Sequence, residues 1–318
     1  MVNVMKYRAI TASFSLLLIV AFIGYSAYRW STTGEVFTYS VEFTGGTQVL
    51  FKFNKQSGSF QSALEDGKGE EVIQKAEAAL KPVDAAQIKT ILENKGWKGV
   101  VTRDFSSDEV LVRVKEFSND IQGIADRLRA DVQQEIGNVA ISIEQTEAVG
   151  PGVGESLRWN SVWAVLYAII AMLAYVAIRF WSFGFAFGAV MALVHDGLVM
   201  LAVFLFFGRE ISVNVIGAIL AILGYSVNDT IVIFSRIRDN MKTSGNHTMT
   251  YIVNHSINQT LTRTILTSVT TAMTVGSMFI FGGEALRDFS LALLIGIVFG
   301  TYSSIYIASP VMMLFYRD

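Results

Sequence analysis

Six stretches of mostly apolar residues constrain this chain more than anything else in it. They cover residues 10–28, 159–178, 183–207, 211–234, 263–281 and 289–315. About 20 such residues make a helix long enough to cross hydrocarbon. Inside a bilayer the backbone finds no water to bond, so each stretch must be helical if it crosses. The expectation is an α-helical integral membrane protein with six transmembrane helices, spans 1 to 6. The first is opened by Lys6 and Arg8 and closed by Arg29 and Trp30. Its apolar run is longer than a cleaved signal peptide needs, so it reads as an uncleaved anchor.

Between spans 1 and 2 the chain is polar for more than a hundred residues, and the charge follows this division. Residues 30–157 carry 20 Asp and Glu against 13 Lys and Arg, a balance of −7. The remainder balances at +5, so the formal net charge of −2 averages two unlike parts. Only 16% of residues are charged, where about 25% is usual for a soluble domain. This pattern excludes a nucleic-acid binder, a disordered chain and a disulfide-stapled scaffold. With no Cys in the sequence, thiolate metal sites, Cys nucleophiles and redox pairs are excluded as well.

Lys and Arg in short loops resist translocation and so report orientation. With the N-terminus inside, the cytoplasmic ends hold Lys6, Arg8, Arg179, Arg236, Arg238, Lys242, Arg263 and Arg317, against Arg29, Arg158, Arg209 and Arg287 outside. Eight against four favours both termini in the cytoplasm and residues 30–157 outside it. Three domains are expected: residues 1–29 with span 1, the outer domain 30–157, and a five-helix bundle 158–318 with a cytoplasmic loop at 235–262.

The outer domain alternates between strand and helix patterns. Residues 47–53 put Val49, Phe51 and Phe53 on one face, as a half-buried strand does. Residues 70–80 read as a helix interrupted by Pro82, and residues 84–94 as a second helical stretch ended by Gly96. Residues 99–105 and 109–115 form two strands about a turn at 106–108. Ser118 or Asn119 caps a helix running to Ile136, stopped by Gly137, and residues 140–146 make a last strand. The order β-α-β-β-α-β predicts one α+β ferredoxin-like domain. Gly45 and Gly46 precede its first strand, either as a bend or as a partner-contact loop. Residues 150–154, Gly-Pro-Gly-Val-Gly, lack the Lys of a phosphate loop and read as a juncture between domain and membrane.

Ionisable groups inside spans are costly and point to function. Span 3 carries His195 and Asp196, span 4 carries Asn228 and Asp229, and span 5 opens near Arg263. Asn214, Gly217, Ala221, Gly224 and Asn228 recur at heptad spacing on span 4, as do Arg263, Thr267, Thr270, Thr274 and Ser277 on span 5. Such a row puts one helix face against a neighbour. Gly184, Gly188, Ala192 and Asp196 on span 3, and Gly296, Gly300 and Ser304 on span 6, step by four and allow close helix contact. Spans 4 and 5 run antiparallel, so Asp229 and Arg263 can face each other. Moving a guanidinium relative to a buried carboxyl changes how tightly the carboxyl holds a proton. The alternatives are proton coupling or a static buried salt bridge. For His195 and Asp196, structural satisfaction stands beside a functional role.

These residues resemble the SecF family, the smaller membrane subunit of the bacterial SecD–SecF protein-export complex. The likeness rests on residues 43–47 (FTGGT), 149–157 (VGPGVGESL), His195–Asp196, 224–238 (GYSVNDTIVIFSRIR) and 259–268 (QTLTRTILTS). It implies a half-transporter of the resistance-nodulation-division superfamily in the bacterial inner membrane, with the outer domain in the periplasm. It further implies pairing with SecD, docking on the SecY-E-G channel, and use of the proton motive force to help draw unfolded exported chains through. Proton coupling would fall on Asp229 and Arg263, with Asn228 beside them. No cofactor, metal or catalytic step is implied. Two departures are Glu42, where members often have Asp, and Ser235, which removes a carboxylate from the end of span 4. Two other readings remain: a scaffold of the export complex without proton coupling, and half of a small-molecule exporter. An intramembrane aspartyl protease lacks its Gly-x-Gly-Asp, and zinc proteolysis lacks His-Glu-x-x-His.

Overall fold

Each apolar stretch is the middle of a longer helix. A computed structural model of the chain describes residues 3–55, 84–105, 108–136, 139–243 and 247–316. Span 1 follows a 3-10 turn at Val4–Tyr7 and is helical over Arg8–Thr33, closed by Gly34 at φ 75°, whose N–H donates to the Trp30 carbonyl. Span 2 is Pro151–Phe180, span 3 Phe183–Phe206, span 4 Val213–Thr243 and span 5 Met249–Phe281. Span 6 runs Gly283–Ser303, continues through a π-helical turn at Ser304–Ala308, and ends in Ser309–Met313.

One expectation is sharpened here and one corrected. The Gly-Pro-Gly-Val-Gly run, read as a juncture between domain and membrane, is helical from Pro151, where span 2 starts. Proline lacks an N–H and has a helical φ, so it suits the first helical position. Residues 235–262 are no loop, since span 4 runs to Thr243 and span 5 starts at Met249. The apolar length measures a membrane crossing, whereas the helices continue as an antiparallel pair with their own buried face. Ile237, Val253 and Ile257 are fully buried, and the Asn240 side-chain amide donates to Ser256 Oγ at 2.8 Å. Arg263 therefore lies well inside span 5 and does not open it.

The chain divides into two compact units, Met1–Tyr39 with Trp159–Asp318, and Ser40–Arg158. In the first, spans 3, 4 and 6 form the core, with 56, 50 and 44% of their apolar stretches buried, against 6, 6 and 17% for spans 1, 2 and 5. Span 2 is held at its C-terminal end, where the Phe180 ring lies 5.2 Å from Phe185 and 6.0 Å from Phe234. The Arg238 guanidinium sits 5.0 Å over the same ring and donates to the Arg179 carbonyl. A two-residue parallel pairing joins β1 (Thr38–Tyr39) to β6 (Glu210–Ile211).

The second unit contains an antiparallel sheet of β2 (Gly46–Lys55), β3 (Val101–Asp104), β4 (Glu109–Val114) and β5 (Val139–Val149), in the order β3-β4-β2-β5. Helix Ala85–Asn94 precedes β3 and helix Ile121–Ile136 precedes β5. Their Ile88, Leu92, Ile124, Leu128 and Val132 meet Val49, Phe51, Val110, Val112 and Val114 in one core. Asp84 caps the first helix by accepting from Ala86 N–H. The second is capped by Asp120, which accepts from Gly123 N–H at 2.9 Å, and not by Ser118 or Asn119. Ser118 instead accepts from the Asp120 N–H. The expected helix at 70–80 with Pro82, the turn residues 106–107 and the stop at Gly137 lie outside the described residues.

Candidate functional site

Asp196 is fully buried among spans 3, 4 and 6, and those spans supply its partners. Its Oδ2 accepts from Ser226 Oγ of span 4 at 2.6 Å and from Ser303 Oγ of span 6 at 2.8 Å. Its Oδ1 lies 3.2 Å from His195 Nδ1. The imidazole continues outward, with Nε2 3.1 Å from Ser15 Oγ of span 1. Ser15 Oγ is 3.0 Å from the Tyr302 hydroxyl, which donates to the Thr11 carbonyl at 2.7 Å. One continuous polar line therefore ties spans 1, 3, 4 and 6 together inside an apolar bundle.

The small-residue rows explain how it assembles. A Cβ at Gly188 would lie 2.6 Å from the Ala308 carbonyl oxygen, and one at Gly184 3.0 Å from Phe315 Cβ. A Cβ at Gly296 would lie 2.5 Å from Ile222, and one at Gly300 3.1 Å from Ser226 Cβ. These glycines let the helices approach until Ser226 and Ser303 reach Asp196. Gly217 and Gly224 do not share that role, since a Cβ at either meets nothing within 4 Å. The whole span 4 row, Asn214, Gly217, Ala221, Gly224 and Asn228, is exposed. So is the span 5 row, Arg263, Thr267, Thr270, Thr274 and Ser277. The heptad spacing is real, but the face it makes points away from this chain's own helices. The threonine hydroxyls along it bond back to carbonyls of their own helix.

Asp229 lies one residue beyond the exposed row and is buried, at 3% exposure. Arg263 acts on its charge from span 5, and Ser268 interacts with its carboxyl. Its Oδ2 is buried without any hydrogen-bond partner, and so is Thr264 Oγ1 on span 5. A buried polar atom without a partner costs on the order of 1–3 kcal/mol, so such atoms are rare and each calls for an explanation. The arrangement offers a carboxyl with an unused lone pair within electrostatic reach of a cation.

Gly45 and Gly46 enter the sheet at φ 71° and 113°, and a Cβ at Gly46 would meet the Val114 carbonyl oxygen. Gly46 pairs with Val149, and a Cβ at Gly154 would come 2.9 Å from Gly45 N. The two glycine motifs of the sequence therefore close against each other. Among the described residues no group of His, Asp and Glu is placed to hold a metal.

Residues 129–318 match the family described as protein export membrane protein SecD/SecF, C-terminal. The chain is 39% identical over 236 residues to protein translocase subunit SecF of Thermodesulfovibrio yellowstonii, covering 73% of this chain and 77% of that one. It is 34% identical over 314 residues to SecF of Pseudomonas aeruginosa, covering 98% and 90%. The chain belongs to the SecF family. The crystal structure of SecDF, a translocon-associated membrane protein from Thermus thermophilus, superposes with a TM-score of 0.80 at 32% identity. That match covers all of this chain but 39% of SecDF.

The SecF relatives are named as translocase subunits, a transport component and not an enzyme family. With six helices long and apolar enough to cross a bilayer, the chain is a multi-pass membrane protein of that family. The structure unites His195 with Asp196 and places Asp229 within reach of the Arg263 charge, but leaves Asn228 on the exposed row. It adds Ser15, Ser226, Ser303, Tyr302 and Ser268, which sequence reasoning missed. The one available signal was Thr11 and Ser15, a turn apart in an otherwise apolar stretch.

Proposed function

We propose that this SecF chain pairs with a SecD subunit and couples the proton motive force to late steps of Sec-dependent export across the inner membrane. The observation that carries this is Asp229. It is a buried carboxyl with an unpartnered oxygen on span 4, within electrostatic reach of a cation on span 5. Relative movement of the two spans changes how tightly it holds a proton. Carrying one charge through the field yields about 2.3 kcal/mol per 100 mV.

The pairing reading is supported by the exposed rows on spans 4 and 5, where small and hydroxylated side chains leave room for another helix. Orientation follows the Lys and Arg asymmetry: both termini face the cytoplasm and residues 30–157 the periplasm. The strand order β3-β4-β2-β5, antiparallel throughout, supports a ferredoxin-like outer domain that acts on exported, unfolded chains beside the SecY-E-G channel.

Asp229→Asn tests the reading. The variant is expected to assemble with SecD and to lose proton-driven stimulation of export in inverted membrane vesicles. Unchanged stimulation refutes proton coupling at Asp229. Loss of assembly with no separate export defect favours a scaffold.

A further inference from the structure

We propose that His195 and Asp196 form a second proton-binding site, distinct from Asp229, whose occupancy latches span 1 to the bundle. The inference does not rest on the Asp229 reading. It follows from counting donors along the polar line. Asp196 Oδ2 already accepts two hydroxyls, from Ser226 and Ser303. Ser303 Oγ also lies 3.1 Å from the Gly300 carbonyl, a longer contact than its 2.8 Å to Oδ2. With both hydroxyls turned to Oδ2, a proton on this carboxyl sits on Oδ1, shared with His195 Nδ1 at 3.2 Å.

At the far end, the single Tyr302 proton is given to the Thr11 carbonyl. The 3.0 Å contact between Ser15 and Tyr302 must then be filled by the Ser15 proton. With that proton used, the 3.1 Å contact between Ser15 and His195 must be filled by a proton on Nε2. One further proton sits between Nδ1 and Oδ1. The pair thus holds two protons and is neutral overall, whether drawn as imidazolium and carboxylate or as imidazole and carboxylic acid.

Removing one proton breaks this sequence. If Nε2 is bare, Ser15 turns its proton to the imidazole. Tyr302 can then satisfy either Ser15 or Thr11, not both. If the inner proton leaves instead, two lone pairs face each other between Nδ1 and Oδ1, which draws the remaining ring proton inward and again empties Nε2. Either way the pair becomes net negative and one contact to span 1 is lost.

The ends of span 1 are tied elsewhere, by Met5 N–H to Asn254 Oδ1 of span 5 and by the Thr38–Tyr39 pairing, so this contact matters for the stretch between them. Ser15 is its only buried residue along Arg8–Thr33. Toward its far end the helix is held by ring contacts, such as Tyr25 stacked 5.2 Å from Phe206. The surroundings add few competing charges. Span 1 contributes the Ser15 hydroxyl, and span 4 Ser226, with the neighbouring Tyr225 hydroxyl donating to Thr271 of span 5 and Asp229 three residues on. Span 6 contributes Ser303 and Tyr302, with the tilted Tyr306 ring 5.4 Å beyond. Span 6 also makes its π-helical turn at Ser304–Ala308, directly after Ser303. Such turns often sit at functional positions in helices.

The absence of Cys makes the test direct, because spin labels can be placed at Tyr28→Cys and Phe207→Cys, both exposed, without removing native thiols. In the purified complex with the second subunit, the label distance is measured from pH 5 to 9 together with infrared pH-difference spectra. The expected result is a distance change that follows a single one-proton step, absent from His195→Gln. Asp196→Asn should make the distance pH-independent, while Asp229→Asn should leave the titration in place. Ser15→Ala, a conservative change on a largely exposed span, should move the midpoint by about one pH unit, tenfold in proton affinity. Absence of that one-proton step across this range overturns the proposal, as does an unaltered pH response in Asp196→Asn. Normal proton-driven export in Asp229→Asn would refute the coupling reading and leave this one intact.

Discussion

Replacing Gly296 with Ala adds one methyl group, yet it should disturb two things at once. The new Cβ would lie 2.5 Å from both Cγ1 and Cγ2 of Ile222 and 2.9 Å from its Cβ. Carbon atoms settle about 3.5–4.0 Å apart, so spans 4 and 6 must separate by roughly 1 Å. Ile222 cannot swing aside, because it is 2% exposed in the bundle core. Overpacking of this kind costs about 1–3 kcal/mol, and the gain in helix propensity from Gly to Ala returns at most about 1 kcal/mol. The same movement carries Ser226 of span 4, one turn from Ile222, away from Ser303 of span 6, so the Asp196 carboxyl that holds both at 2.6 and 2.8 Å must lengthen at least one of the two bonds. Thermal unfolding of the detergent-purified chain, followed by fluorescence-detected size exclusion, should show the loss. Ile222→Ala in the same chain should return much of it by making room for the methyl. Unchanged stability in Gly296→Ala, or no recovery in the double variant, refutes the claim that this contact sets the helix spacing.

Gly224→Leu adds a larger side chain on the same helix but at an exposed position with nothing within 4 Å. The chain should keep its stability and lose co-purification with SecD, so normal co-purification would show that this face is lipid-facing. Gly46→Ala forces a Cβ into φ 113° and against the Val114 carbonyl oxygen. It should destabilise the Ser40–Arg158 unit by about 1–3 kcal/mol, seen as faster limited proteolysis of that unit in the full chain.

How much of this was legible in the sequence depends on what kind of signal each residue carries. A carboxylate in an apolar run stands out because burying charge is expensive, so Asp196 and Asp229 were visible at once. A hydroxyl in a span is ordinary, so Ser15, Ser226 and Ser303 gave no comparable signal until the helices brought them to His195 and Asp196. Helix ends were misplaced for a different reason. Hydropathy reports the thickness of the membrane, and the extensions of spans 4 and 5 past residue 235 are amphipathic and pair outside that limit. Asp120 displaced the expected caps because any of Ser, Asn and Asp can accept at that position, and only the turn geometry chooses.

The small-residue rows show the limit of periodicity most clearly. Spacing establishes that Asn214, Gly217, Ala221, Gly224 and Asn228 share a face, but not what the face meets. The rows on spans 3 and 6 turn inward, and there Asp196 receives two hydroxyls and an imidazole from its own chain. The rows on spans 4 and 5 turn outward, and the carboxyl beside them, Asp229, keeps an oxygen with no partner. The two aspartates thus differ in a way that burial alone does not register. One is completed by the fold of this chain, while the other borders a face that the chain leaves open. If pairing with a second subunit covers that face, it also changes the surroundings of Asp229. The proposed proton site and the subunit contact would then be parts of one device, which is why the Gly224→Leu and Asp229→Asn variants are best measured in the same assembled complex.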